Sequence, residues 1–257
     1  MLTDRAIHRS PVRSAVVWEA LREALDELAR RVGGPLDVVD LGGGTGGFAV
    51  PLAGLGHRVT VIDPSPDALA ALERRAAEAR PAGPVRAVQG DISTACEVVE
   101  PGEADAVLCH GVLEFADDPA QGALTAYRLL RPSGLASVLA ANRTAAVLSR
   151  AMSGHLDEAL AGLRDPDGRF GAHDPVPRRF SEAELRGLLE RAGFGVRAVH
   201  GVRIFADLVP SAVLDSPAGG GAAADLQALE AAAAQLPEFR PMAVQLHVLA
   251  GPREAAV

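Results

Sequence analysis

The sequence predicts an α/β protein, a doubly wound seven-stranded sheet with helices on both faces. Three observations point to it. Short β-branched apolar runs alternate with helical stretches through the first 140 residues, the pattern of parallel strands joined by right-handed crossovers. A glycine-rich run stands where the first strand turns into the first crossover helix. The chain, at 257 residues and 48% hydrophobic, also has ample material for a single large core.

An amphipathic helix over Val12–Arg31, within a leading segment 11–32, comes before the first strand. Strands are expected at Leu36–Leu41, Arg58–Ile62, Val85–Gln89, Ala106–Cys109 and Leu135–Ala140. Helices are expected between them at Gly47–Leu55, Pro66–Arg80, Ile92–Val99 and Pro119–Leu130. Residues 141–180 read as two short helices and then a Pro/Gly/Asp-rich loop beginning at Asp165. Ser181 to Glu184 forms a capping box that opens a helix closed by Gly193. Two further β-rich runs, Val196–Ile204 and Ala243–Leu249, bring the strand count to seven. A Gly219–Gly221 linker and an alanine-rich helix near Ala222–Leu236 separate them. The whole chain, 1–257, reads as one domain, with 141–180 and 205–241 as insertions that form a cap.

Composition excludes several chemistries. There is no lysine: all 25 basic residues are arginine, set against 33 acids for a net charge of -8. A Schiff base, a pyridoxal-phosphate anchor and a P-loop lysine are therefore ruled out. Positive charge comes only as planar, permanently protonated forks suited to carboxylate and phosphate. Cys96 and Cys109, with no CxxC, make neither a disulfide framework nor a zinc site, so a reduced, cytoplasmic protein without metal is expected. Met1–Ser10 has no apolar h-region, and no run approaches ~18 uninterrupted apolar residues, so neither a signal peptide nor a membrane span is expected. The acidic balance argues against indiscriminate nucleic-acid binding, though a local basic patch stays open.

The glycine run reads Val38-Val-Asp40-Leu-Gly42-Gly43-Gly44-Thr-Gly46-Gly47. Glycines let a ligand approach the backbone, and the helix N-terminus behind them adds a positive field. The run satisfies both GxGxxG and GxGxG, so the glycines do not separate a dinucleotide from another adenosyl ligand. Asp40 does. A carboxylate two residues before the first glycine repels a pyrophosphate and suits an ammonium group. Asp63, ending the second strand, is placed to take a ribose diol. An acid for an amine and an acid for a ribose describe S-adenosylmethionine (SAM) better than a nicotinamide dinucleotide.

At these residues the chain resembles the class I SAM-dependent methyltransferases, which implies a Rossmann-like fold with residues 33–140 as the cofactor-binding half. Asp40–Gly46 is similar to their first motif and Asp63 to their ribose acid. Gly90-Asp91-Ile92 resembles the adenine-binding turn, where an Asp meets the exocyclic amine. Cys109-His110-Gly-Val-Leu-Glu-Phe115 resembles the motif beside the methyl-transfer site, and Leu129-Leu-Arg-Pro-Ser-Gly134 the turn into the fifth strand.

A narrower resemblance is to the tRNA 5-carboxymethoxyuridine methyltransferases, which esterify the carboxylate of a modified wobble uridine. It runs through Val12-Arg13 to Trp18 in the leading helix, His110 to Pro119, Asn142, Gly201-Val-Arg203-Ile-Phe205-Ala-Asp207 and Leu246-His247-Val. It implies that Arg13 contacts the SAM carboxylate, that His110 lies beside the cofactor and that the Arg203 segment faces the substrate. An acceptor carboxylate is already ionised at pH 7, so no general base is required, and a bidentate arginine is the natural clamp. Arg203 is assigned that role and His110 a place at the transfer site, where it supplies backbone or acts as a base; Glu114 is a second candidate base. Residues 141–180 hold six arginines against five acids, a local +1 while the remainder carries -9, a thin surface for tRNA phosphates. A small-molecule O- or N-methyltransferase and a non-catalytic SAM binder stay open as alternatives.

Overall fold

The computed structural model gives residues 11–210 and 221–253, with all side chains except those of 11–14. Gly219 and Gly220 of the expected linker lie outside these described residues. The described residues divide into two compact units. One takes 21–139, 186–198 and 248–253; the other takes 11–20, 140–185, 199–210 and 221–247.

Seven strands make one sheet: β1 (Asp37–Leu41), β2 (Arg58–Asp63), β3 (Val85–Gln89), β4 (Ala104–His110), β5 (Leu130–Ala141), β6 (Phe194–Val202) and β7 (Gln245–Pro252). Their order is β3-β2-β1-β4-β5-β7-β6, and β3 through β5 run parallel. The order reverses between β1 and β4. At such a reversal successive crossovers leave the sheet on opposite faces, and a crevice opens outside the carboxyl ends of the strands. Register then decides what lines the crevice. Leu41 stands opposite both Ile62 and Cys109, so Gly42, Asp63 and His110, each one residue further on, come level with one another. Asp63 in turn stands opposite Gln89, which brings Gly90 to the same end.

In the first unit the crossover helices are α2 (Ala49–Gly54), α3 (Pro66–Ala79), the short α4 (Ala95–Val98) and α5 (Pro119–Leu129); they follow the leading helix α1 (Pro11–Val32). Within α1, Leu21, Leu25 and Leu28 form a buried i, i+4, i+7 stripe, each contributing about 1.5–3 kcal/mol of burial. Ser65 caps α3 by accepting the Ala68 N–H, with Pro66 preset for the first turn. Asp118 and Pro119 start α5 in the same way, Asp118 accepting the Ala120 and Gln121 N–H groups.

The second unit holds α6 (Arg143–Met152), α7 (Leu156–Arg164), the first turn of α8 (Glu182–Arg191) and α9 (Ala222–Ala234). The capping box is present: the Ser181 N–H and hydroxyl donate to Glu184 Oε2 at 2.7 and 2.8 Å, and the Glu184 N–H returns to Ser181 Oγ at 3.3 Å. Asn142 is the buried hub of this unit. Its Nδ2 donates to the carbonyls of Arg240, Pro241 and Ala243 at 2.9, 3.3 and 2.7 Å, and its Oδ1 caps α6 by accepting the Thr144 N–H.

Three expected boundaries shift for local reasons. The helix expected over Ile92–Val99 is a single turn, because the Asp91 carboxylate accepts the Ser93 and Thr94 N–H groups and folds 91–94 into an Asx turn. Strand β5 begins at Leu130 rather than Leu135, with a register break opposite Ala104–Ala106 where Pro132 lacks a donor. Strand β6 begins at Phe194 and stops at Val202 rather than Ile204, because Arg203 takes φ 60° and leaves the extended region.

Candidate functional site

The predicted cofactor residues Asp40, Gly42, Gly43, Gly44, Asp63, Gly90, Asp91, Ile92 and His110 all belong to the first unit, at the carboxyl ends of β1 to β4. The glycines are required individually. Gly42 has φ 64°, and a Cβ on it would meet Val112 Cγ2 at 2.5 Å. A Cβ on Gly43 would meet Asp40 Oδ2 at 2.5 Å and Val61 Cγ1 at 2.9 Å. Gly44, at φ 54°, donates its N–H to Asp63 Oδ2 at 2.9 Å.

Asp63, 8% exposed, also accepts the Ser65 N–H on Oδ1 at 2.9 Å, so its carboxylate ties the end of β2 to the glycine turn. Asp40 is in the opposite condition. It is 3% exposed, and among the described residues no hydrogen bond to its carboxylate is seen. Burial first, and then the nearby Asp63 charge, push its pKa up to about 7. A buried acid beside a glycine cradle, with no cation paired to it among the described residues, is what an α-ammonium group fits.

Asp91 is exposed and held well below the ordinary carboxylate range by hydrogen bonds from Ser93, with a weaker one from Thr94. Ile92 packs toward α5, 3.1 Å from where a Cβ on Gly122 would stand.

His110 ends β4. Its Nε2 lies 2.8 Å from Ser137 Oγ, and its ring meets Phe48 edge-on at 4.7 Å. Burial drives the imidazole pKa down to about 3, so it is neutral at physiological pH and a weak base. Glu114 is buried, and burial, followed by the charges of Glu114 and Asp40, keeps the Cys109 thiol protonated.

Arg13 falls within α1, with its side chain outside the described residues. Arg203 belongs to the second unit, where its guanidinium is paired with Asp207. Four of the six arginines in 141–180 are likewise engaged: Arg143 with Glu184 at 3.0 Å, Arg150 with Glu158 at 3.2 Å, Arg178 with Asp167 at 2.9 Å and Arg179 with Asp174, whose side chain is shielded from solvent, at 2.6 Å. Phe170 also lies under two of them, 4.9 Å from Arg150 and 4.2 Å from Arg179. Three of these ion pairs lie inside the segment and the fourth reaches Glu184 just beyond it. At the amino ends of the strands a cavity of about 620 Å³, lined by Asp37, Arg58, Thr60, Arg86, Glu103 and Arg131, holds none of the predicted site residues.

Residues 39–138 match the methyltransferase domain family. The chain is 30% identical over 203 residues to the tRNA 5-carboxymethoxyuridine methyltransferase of Escherichia coli K12, covering 77% of this chain and 74% of that one. The chain belongs to the class I SAM-dependent methyltransferases. It is also 33% identical over 205 residues to the ubiquinone biosynthesis O-methyltransferase of Methylobacterium nodulans, covering 77% and 76%. The magnesium protoporphyrin IX methyltransferase of Synechocystis PCC 6803 shares the fold, with a TM-score of 0.58 at 18% identity over 94% of this chain and 82% of that one. The methyltransferase takes SAM as its cofactor, which supplies an electrophilic methyl group when bound. Among the described residues no His/Cys/Asp/Glu cluster could hold a metal ion, and no helix is long and apolar enough to cross a membrane.

One buried residue was missed in the sequence. Glu230, 1% exposed, sits on the inner stripe of α9 with Leu226 and Ala233, and its carboxylate binds the backbone after Arg203. The signal was available: an acid at i+4 from Leu226, on the apolar stripe of an alanine-rich helix whose other acid, Asp225, lies in its first turn.

Proposed function

We propose that the methyltransferase esterifies or etherifies an acceptor that arrives already anionic, first among them the carboxylate of 5-carboxymethoxyuridine at the tRNA wobble position. His110 carries this reading. Neutral and weakly basic at pH 7, it is poorly suited to deprotonate an acceptor, and Glu114 is itself buried. An ionised carboxylate needs no such help. Catalysis is then positioning: Asp40 holds the cofactor amine, Asp63 and Gly44 fix the glycine turn, Arg13 takes the cofactor carboxylate, Asp91 and Ile92 frame the adenine, and Arg203 orients the acceptor anion. Residues 141–180 and 205–241 act as the substrate cap. The identity to the E. coli tRNA enzyme supports the acceptor.

A second reading is a small-molecule O-methyltransferase. It is favoured by the pairing of Arg143, Arg150, Arg178 and Arg179 with carboxylates of the protein, which leaves little charge for phosphates. Methyl-labelled SAM with tRNA carrying 5-carboxymethoxyuridine separates the two. Label in the RNA that is released by mild alkali is the expected result. No incorporation by protein that binds SAM in a calorimeter discards the tRNA reading in favour of the second.

A further inference from the structure

The loop that carries Arg203 is built around a buried carboxylate. Three consecutive backbone N–H groups converge on Glu230 of α9: Ile204 donates to Oε2 at 2.9 Å, and Phe205 and Ala206 donate to Oε1 at 2.8 and 2.7 Å. Successive amides pointing into one concavity form an anion nest, and here the anion is a side chain of the protein itself. The residue just before the nest is Arg203, one of two non-glycine residues with left-handed φ among the described residues; the other, Arg80, merely ends α3. Its carbonyl accepts the Val244 N–H at 3.3 Å, and its guanidinium is held by Asp207. Ile204 is buried with Ala233 and Ala243, and Phe205 meets Phe239 edge-on at 5.8 Å. A left-handed arginine persists only where its surroundings over-determine it. Here the over-determination has one centre, Glu230, 26 or fewer residues away from each amide it binds.

We infer that Glu230 is the positioning residue for Arg203: by capturing the amides of 204–206 it fixes the backbone from which the arginine addresses the acceptor anion. This rests on the reading that Arg203 grips the acceptor. Glutamine at 230 keeps the shape but offers one acceptor oxygen in place of two and turns an NH2 group toward an N–H. Aspartate keeps the charge at a shorter reach.

The test measures methyl transfer to tRNA carrying 5-carboxymethoxyuridine by the full chain and by Glu230→Gln, Glu230→Asp, Arg203→Ala and the Glu230→Gln/Arg203→Ala pair, with SAM affinity measured on each. The expected result is an acceptor KM raised about tenfold in Glu230→Gln, less in Glu230→Asp, with SAM affinity within about twofold and the pair no worse than Arg203→Ala alone. An Arg203→Ala effect without a Glu230→Gln effect, or effects that add, overturns the inference and leaves the Arg203 reading standing. An unchanged KM in Arg203→Ala overturns the Arg203 reading itself and the functional role of Glu230 with it. Should the wild type not methylate this tRNA, amide hydrogen exchange decides. Protection of 204–206 that falls at least about tenfold in Glu230→Gln and Glu230→Asp supports the mount, and equal rates overturn it.

Discussion

Strand β1 carries two aspartates three residues apart, and the two ends of the sheet treat them in opposite ways. Asp37, at the amino end, accepts Arg58 Nε at 2.6 Å and Arg131 Nη2 at 3.3 Å, while its N–H donates to the buried Asp105 at 2.8 Å. Asp105 is itself paired with Arg131. Hydrogen bonds from Arg58, opposed by partial burial and reinforced by Arg131, hold the Asp37 carboxyl below its ordinary range. Asp40, at the carboxyl end, is buried with no cation paired to it among the described residues, and its pKa rises to about 7. The same side chain on the same strand is a stabilising element at one end and a standing electrostatic deficit at the other. That deficit is what the ammonium of the cofactor would neutralise in the proposed site.

The largest effect follows from closing that deficit. Asp40 has a folded pKa above its unfolded value, so the folded protein binds the extra proton, and stability falls as pH rises from about 4 to about 7. Asp40→Asn removes the buried charge and should stabilise the cofactor-free protein at pH 8 by something on the order of 4 kcal/mol in urea denaturation. The same variant should bind SAM at least about 100-fold more weakly by calorimetry, because the ammonium loses its partner. Unchanged affinity would remove Asp40 from the site.

The amino end should answer in the opposite sense. Asp105→Asn weakens the pairing with Arg131 and the acceptor for the Asp37 N–H, and should destabilise by about 2–3 kcal/mol while SAM affinity stays within about twofold. Asp37 titrates with the other sign: its lowered pKa contributes stability above about pH 4, lost as pH falls through the folded value, so Asp37→Asn should flatten the acid limb of the stability profile. Smaller still is Gly43→Ala, whose methyl group would crowd Asp40 Oδ2 and Val61; SAM affinity should fall about tenfold. Gly34→Ala, next to the amino end and facing open space, should change stability by no more than about 0.5 kcal/mol.

What was legible in the sequence was local. The strand–helix alternation and the capping box at Ser181 depend on residues a few positions apart, and they stand where they were expected. What was not legible depends on partners far along the chain. Asn142 was noted only as part of a family pattern; its role comes from carbonyls 98 to 101 residues away. Counting charges in 141–180 gave a weak basic patch, whereas pairing decides its strength, and four of its arginines are occupied. The early end of β6 at Val202 coincides with a turn whose amides bind the Glu230 carboxylate of α9, which no short window around Arg203 contains.

The proton on Asp40 has a calorimetric consequence. Near pH 7 about half of the cofactor-free molecules carry it, and an ammonium seated against the carboxylate expels it. Each SAM molecule bound near neutrality therefore releases roughly half a proton to the buffer. The observed binding enthalpy should then vary linearly with the ionisation enthalpy of the buffer, with a slope near neutrality that shrinks markedly in Asp40→Asn.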